Sequence, residues 1–400
     1  IRRPPRATLF PYTTLFRSIY NMDNNDVLAK GLVERIGIDG SNLQHKPAGK
    51  AKDKYVFEQP LKNHSEAIKL VMDKLVDPEC GVIADLSEIN GVGHRVLHGS
   101  KFFTESCIVT EEVKKVVAEC ADLGPLHNPA NLMGIEACEE LMPGVKNVAV
   151  FDTAFHQTMP PKAYMYPLPY EYYEKYKVRR YGFHGTSHRY VSKRAIEMLG
   201  NPEHSRVITC HLGNGSSIAA VKDGKCIDTS MGLTPLAGFE MGTRCGDIDP
   251  AIVPYLMKKE NLTPDEIDTI MNKKSGLLGI TGISSDFRDA EAAMNEGNER
   301  AKLGLDMFRY QIAKYIGSYV IALGGCDAIV FTAGIGENNA GHRAAICEYL
   351  ECLGVKIDPE KNKLRGDVDF TGEGSTMKTF IIPTDEELMI AQDTMELLSK

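Results

Sequence analysis

No stretch of the chain reaches the ~18 uninterrupted apolar residues that a membrane span requires. The most apolar region, Tyr319 to Phe331, is broken by Gly324, Gly325 and Asp327. Nor is there a C-x-x-C pair or any zinc-like spacing among the ten cysteines, which are scattered singly from Cys80 to Cys352. In a chain this large they read as reduced, mostly buried thiols of a cytoplasmic protein, not as a disulfide framework. A net basic face is missing as well. The 46 Lys+Arg stand against 54 Asp+Glu, a formal charge of -8, which argues against nucleic acid or an anionic membrane as partner. A local basic pocket for a small anion stays open. No low-complexity linker divides the chain. What is there is 400 residues, 43% hydrophobic and 25% charged, the texture of a globular protein of about two or three domains.

Residues 1–18 (IRRPPRATLFPYTTLFRS) hold four arginines, three prolines and no acid. The prolines spoil the amphipathic helix of a transit peptide, so the stretch reads as foreign to the rest, with the composition shifting at about Ser18. Beyond it, Ile19–Met22 and Val27–Ile36 alternate like two strands around a polar Asp23–Asp26 turn. Asn63–Leu75 reads as a helix with Ala67, Leu70, Val71 and Leu75 on one face. Leu305, Phe308, Ile312, Tyr315 and Tyr319 mark a core-facing helix by their steps of three and four. Short strands are expected at Gly93–Leu97, Val145–Phe151 and Asp327–Thr332, and a terminal helix at Asp385–Ser399. Mixed strands and helices with glycine-rich turns at strand ends give an α/β protein.

Three segments could meet a nucleotide. Arg206–Val221 reads as strand, glycine loop, strand, with His211-Leu212-Gly213-Asn214-Gly215 at the turn. Small residues there let backbone N–H groups approach phosphate oxygens. No Gly-Lys-Ser/Thr follows and the loop leads into a strand, so it is not a Walker loop. An ordinary tight hairpin would look the same. Gly334-Ile335-Gly336-Glu337-Asn338 follows a strand as a glycine turn before a helix start, the geometry that suits phosphate or an adenosine edge. Asp286-Phe287-Arg288 opens another helix, where Asp286 would serve equally well as its N-cap.

Cationic and acidic groups recur beside glycines. Gly93–Gly99 carries Arg95 and Leu97 on one strand face and His94 and His98 on the other. Gly182-Phe183-His184-Gly185 brackets a histidine after Arg179-Arg180, and Gly242-Thr243-Arg244-Cys245-Gly246 brackets an arginine with Asp247 and Asp249 nearby. An ion pair pinning each arginine, or a hydrogen-bonded core histidine, is the bland alternative. Asp152 ends a buried strand, where α/β sites usually lie, or caps a helix. Thr384 and Glu387 have the spacing of a capping box, which leaves Glu386 free as a metal ligand.

Taken together, GHRVLHG, PLHNP, FDTAFHQTMP, RRYGFHGTSH, HLGNGSS, GLTPLAGFEMGTRCGDIDP, KKSGLLGITGISSDFRD, TAGIGEN and PTDEEL resemble the acetate kinase family, in order, from about Ile19 to Lys400. The resemblance implies a duplicated ribonuclease H-like fold of the actin-like ATPase and sugar-kinase type, with two domains around a cleft. It places 19–150 with 385–400 in an N-terminal lobe and 151–384 in a C-terminal nucleotide-binding lobe. It implies reversible phosphoryl transfer between ATP and acetate with Mg²⁺ (or Mn²⁺) in a cytoplasmic homodimer, with no nucleic acid or membrane partner.

By that resemblance Arg95 and Arg244 hold the carboxylate and the transferring phosphoryl, and His184 hydrogen-bonds it in flight. Asp152 orients the metal and its waters, and Glu386 lies near the metal. Leu97, Leu126, Phe183 and Pro235 line a methyl pocket beside a further active-site histidine, His127. His211 to Gly215, Asp286 to Arg288 and Gly334 to Asn338 hold ATP. An ionised carboxylate nucleophile, with a pKa near ~4, needs no general base. Leu97 stands where the family often has valine, which would favour acetate over longer acids. The resemblance also implies a strand and an Asn-x-Gly-Ser-Ser-Ser-x-Lys phosphate loop before Ile19. Residues 1–18 stand there without it, so low activity and stability are expected. Two other readings remain: a propionate kinase, and an actin-like nucleotide-binding module without transfer activity. A binding module has no use for phosphoryl-cradling cations.

Overall fold

A computed structural model describes residues 15–124 and 127–400 and divides the chain into two compact units. The first ends at Phe155 and regains Asp385–Lys400; the second is His156–Thr384. Expectations on residues 1–14, and on Leu126, lie outside the described residues. The division after Phe155, five residues beyond the 150/151 boundary read from sequence, keeps Asp152 in the same unit as Arg95. Among the described residues no helix is long and apolar enough to cross a membrane.

The first unit holds two sheets. Strands β1 (Leu15–Asn21), β2 (Asp26–Glu34), β3 (Asn42–Pro47) and β4 (Tyr55–Glu58) form an antiparallel meander in sequence order. The first strand begins at Leu15, inside the stretch that composition sets apart: Leu15 pairs with Val33, Phe16 with Leu32 and Arg17 with Gly31. Ladder pairing uses backbone groups, so an odd composition does not prevent it. The second sheet has β5 (Gly91–Val96) parallel to β7 (Lys146–Phe151), with the short β6 (Cys107–Ile108) antiparallel on the far side of β7. Helix His64–Leu75 starts on Asn63, whose side chain accepts from Glu66 N, and buries Ala67, Leu70, Val71 and Leu75 as the periodicity predicts.

The strand that carries Arg95 stops at Val96, one residue short of expectation, so Leu97 and His98 leave the ladder. Helix Asn128–Leu141 takes over their backbone groups. Asn131 Oδ1 accepts from Leu97 N at 3.1 Å, Asn128 Oδ1 accepts from His98 N at 3.1 Å, and Asn128 Nδ2 donates to His98 O at 2.9 Å and Val117 O at 3.1 Å.

The second unit is built on a six-stranded sheet of order β10-β9-β8-β11-β13-β12. Its strands are β8 (Arg206–Leu212), β9 (Ser216–Lys222), β10 (Lys225–Thr229), β11 (Ala328–Thr332), β12 (Val368–Asp369) and β13 (Lys378–Ile381). The strands β8, β11 and β13 run parallel, whereas β9 and β10 fold back as hairpins. Every residue of β11 is buried, as expected of a central parallel strand covered on both faces. Helix Glu299–Leu323 packs Leu305, Phe308, Ile312 and Tyr319 into this core. Tyr315 is half-buried and gives its hydroxyl to Asp247.

Two local readings are corrected. The strand β11 passes directly into helix Ala333–Asn338 with no intervening glycine turn. Ala333 makes the corner at φ 63°, and its N–H is held at 2.8 Å by the Glu337 carboxylate, which compensates a left-handed alanine. At the terminal helix Glu386–Ser399 the cap is Asp385, accepting from Leu388 N at 2.9 Å, not Thr384. Glu387 makes no capping box because Ser18 and Lys30 of the first sheet take its carboxylate.

Replacing Asn128 by alanine strands three buried backbone groups at once. We expect Asn128→Ala to lose about 2–4 kcal/mol of stability, read as a Tm several degrees below wild type. An unchanged Tm would show that the residue does not pin the end of β5.

Candidate functional site

In the first unit the chemistry gathers at the ends of β5 and β7. Arg95 leaves β5 and reaches Asp152, which follows β7 and is fully buried; Nε donates to Oδ1 at 3.0 Å and Nη2 donates to Oδ2. For Arg95 the ion-pair alternative is therefore realised, as a bidentate pair with a fully buried carboxylate, the geometry in which guanidinium and carboxylate match best. Glu386, in the first turn of the terminal helix, lies 3.8 Å from the same Nε. One cation therefore serves two carboxylates. Burial works against the charge on Arg95, yet Asp152 and Glu386 hold its pKa above the ordinary value. Burial, opposed by Arg95 and aided by Asp152, pushes Glu386 up to about 7. His127 sits at the N-terminus of helix Asn128–Leu141, and Leu97 is buried against Gly124.

In the second unit His184 occupies the position before helix Gly185–Met198 at φ 59°. Its Nδ1 lies 2.8 Å from Ser217 Oγ and its ring stacks on His211 at 4.1 Å. A Cβ on Gly215 would meet Arg244 Nη1 at 3.2 Å and His184 Nε2 at 3.7 Å, so both nitrogens border the space beside that glycine. The neighbouring Phe183 is buried. Arg244 donates to Pro235 O at 3.2 Å, and among the described residues no carboxylate pairs with it. Burial alone pulls its guanidinium below the ordinary value. The expected Arg–Asp bridge is absent for a visible reason: Asp247 spends its oxygens on Gly238 N and the Tyr315 hydroxyl. Glu240, also in this loop, has both carboxyl oxygens buried without a hydrogen-bond partner among the described residues, and burial pushes it up to about 8, which favours its neutral form.

Beside this loop lies a cavity of about 720 Å³. It is lined by Gly213 and Asn214, by Asp286, Phe287 and Arg288, and by Gly334, Ile335 and Asn338, so all three candidate nucleotide segments meet at it. Asp286 is the N-cap, accepting from Arg288 N at 2.9 Å, and it also lines the cavity. The Arg244 loop abuts the same wall. Gly242 N donates to Asn214 O at 3.1 Å, and a Cβ at Gly242 would lie 1.8 Å from Asn214 Oδ1, so only glycine fits there.

Other expected residues stand apart from the cavity. Leu212 and Gly336 are buried in packing, Gly215 faces His184 and Arg244, and His211 bonds Ser187 Oγ at 2.8 Å. Glu337 braces Ala333 N and Thr384 N. Conversely Ser285, Asn339 and Arg365 line the cavity unforeseen. Glu291 fastens two of its walls: Asn339 Nδ2 donates to both Glu291 oxygens at 2.9 Å, and His342 Nε2 lies 3.2 Å from one of them. Ser285, next to Asp286, and Asn339, next to Asn338, had a nearby sequence signal; Arg365 had none. Of the expected acyl-pocket residues, Leu97 belongs to the first unit and Phe183 and Pro235 to the second.

Removing one partner of the Arg95–Asp152 pair leaves the other buried and uncompensated. We expect Arg95→Leu to cost about 3–5 kcal/mol, and the double variant Arg95→Leu/Asp152→Leu to recover most of it in thermal denaturation. A double variant no more stable than Arg95→Leu would contradict this reading of the pair.

Comparison with known proteins agrees with the motifs. A model of the acetokinase family matches residues 13–392, starting inside the stretch set apart by composition. A curated protein from Clostridium perfringens (strain 13 / Type A), "Acetate kinase 2", is 56% identical over 390 residues, covering 97% of this chain and 98% of its own. The crystal structure of Porphyromonas gingivalis acetate kinase superposes with a TM-score of 0.93 at 45% identity, over 98% of this chain and 100% of that one. A propionate kinase from Francisella tularensis subsp. tularensis SCHU S4 superposes with a TM-score of 0.92 at 39% identity, over 99% and 100%. A family model spanning almost the whole sequence, together with relatives this similar, leads to one conclusion: the chain belongs to the acetokinase family.

Proposed function

We propose that the chain is an acetate kinase, moving the terminal phosphoryl group of ATP to the carboxylate of acetate to give acetyl phosphate and ADP, reversibly and by direct in-line transfer. The observation that carries the proposal is Arg244, a half-buried guanidinium with no carboxylate partner among the described residues, set beside Gly215 and His184 on a loop that abuts the cavity wall. Phosphoryl transfer spreads negative charge over three equatorial oxygens, so fixed cations and hydrogen-bond donors do most of the catalysis. Arg244 supplies the charge and His184 a donor. The cavity has the size of a small-molecule site and takes the nucleotide, with Gly213 and Asn214 toward its phosphates. Acetate is already ionised at neutral pH, and no residue has to remove a proton from it. In the other unit Arg95, held by Asp152, orients the carboxylate.

Magnesium fits the first unit's oxygen donors. Asp152 and Glu386 share one guanidinium, and burial keeps Glu386 near the point of losing its charge, so a divalent cation would restore balance. Among the described residues no group of three His, Cys, Asp or Glu side chains is placed to hold a metal. That suits Mg²⁺, which keeps several waters and takes one or two carboxylates plus substrate phosphates. When bound, it would neutralise charge on the phosphates. The mixed sheets in both units support reading them as the halves of a duplicated, actin-like ATPase fold.

The curated relatives named acetate kinases, at 56% and 57% identity, outweigh the propionate reading, whose solved neighbour is 39% identical. The test is acetate-dependent acetyl phosphate formation, trapped as the hydroxamate. Wild type should form it. Arg244→Gln should lose about 10²–10³-fold in kcat with little change in the KM for ATP. A variant within a few-fold of wild type would refute the role of Arg244.

A further inference from the structure

Thr209 on β8, Ser217 on β9 and His188 on helix Gly185–Met198 are all fully buried. They stand in single file behind His184. Thr209 Oγ1 lies 2.7 Å from His188 Nδ1, His188 Nε2 lies 2.7 Å from Ser217 Oγ, and Ser217 Oγ lies 2.8 Å from His184 Nδ1. Burial, reinforced by His156 and His211, holds His188 well below the ordinary histidine range, so it is neutral and carries one ring proton.

Counting donors fixes the direction of the file. With the His188 proton on Nδ1, that nitrogen would donate to Thr209, and the threonine's own hydroxyl proton, with no other partner among the described residues, would be buried unpaired. Leaving a buried donor unmade forfeits its whole hydration. With the proton on Nε2, Thr209 donates to Nδ1 and Nε2 donates to Ser217. The serine proton then has one destination, His184 Nδ1. If His184 instead donated from Nδ1, the serine would receive two donors and strand its own proton. Of these arrangements, only the first leaves neither hydroxyl proton of Thr209 and Ser217 stranded.

We propose that Thr209, His188 and Ser217 form a one-way hydrogen-bond chain that makes His184 Nδ1 an acceptor and places the single proton of neutral His184 on Nε2. That is the nitrogen bordering the space at Gly215, where Arg244 Nη1 also stands. A second full positive charge there is disfavoured by the guanidinium, so a neutral donor is the compatible form. Resting on the function proposed above, His184 then offers the phosphoryl group a hydrogen bond whose proton stays on the ring. Thr209, His188 and Ser217 are positioning residues that act through it.

The test is a two-bond proton–nitrogen correlation spectrum of the ¹⁵N-histidine-labelled whole chain at neutral pH, with His184 assigned by its loss in His184→Gln. The expected result is a protonated Nε2 and a bare Nδ1 on both His184 and His188. A protonated Nδ1 on His184, alone or as imidazolium, overturns the proposal. Thr209→Val keeps the shape and removes the first donor. It should mix the His184 tautomers and lower kcat about tenfold, the worth of one net hydrogen bond, with the KM for ATP nearly unchanged. An unmixed tautomer and wild-type kcat in that variant would also overturn it. Should Thr209→Val not fold, the wild-type spectrum decides alone. The expected tautomer in a chain that forms no acetyl phosphate would uphold the chain of hydrogen bonds and refute the functional reading instead.

Discussion

A guanidinium drawn out of water normally brings its counter-ion with it, because the cost of desolvating a lone charge is several kilocalories per mole. Arg95 obeys that rule, locked to Asp152. Arg244 does not. The loop around it is arranged to leave the charge unspent: Asp247 is occupied by Tyr315 and Gly238, and burial pushes Glu240 toward its neutral form. A half-buried cation without a counter-ion among the described residues suits a visiting anion. The rest of the second unit can be understood as the frame that holds it, through Gly242 against Asn214 and through the carbonyl of Pro235.

The two units use charge in opposite ways. In the first, one guanidinium is shared by two carboxylates, which leaves negative charge over and a taste for cations. In the second, positive charge is left over beside a glycine hairpin and a cavity. Local backbone strain accompanies these sites. His184 and Ala333 both adopt left-handed conformations that cost non-glycine residues energy, and each is held by partners next to a functional wall.

Much of this was legible in the sequence. The periodicity of 305–319, the strand–glycine loop–strand run of 206–221 and the apolar face of 63–75 are local signals, and the helices and strands appear where they point. The glycine-bracketed histidine and arginine also marked their loops correctly, because only glycine permits such close approach. What failed was the assignment of shared groups. Thr384 and Glu387 have the right spacing for a capping box, but Glu387 has a better offer from Ser18 and Lys30, hundreds of residues away. Asn128 lies in the PLHNP motif but nothing local assigns its bonding, and Glu291 and Arg365 carry no local pattern at all. Their partners, such as His98 O and Asn339, come from elsewhere in the chain, and composition does not encode that pairing.

The central claim is that Arg244 is kept unpaired for the transferring phosphoryl group. Calorimetric titration of the whole chain with ADP, Mg²⁺, aluminium fluoride and acetate tests it most directly, since the fluoride complex mimics the planar phosphoryl in flight. The account predicts much tighter binding than for ADP with Mg²⁺ alone, dependent on acetate and abolished in Arg244→Gln. Equal affinity with and without the fluoride, or tight binding that survives Arg244→Gln, would contradict it.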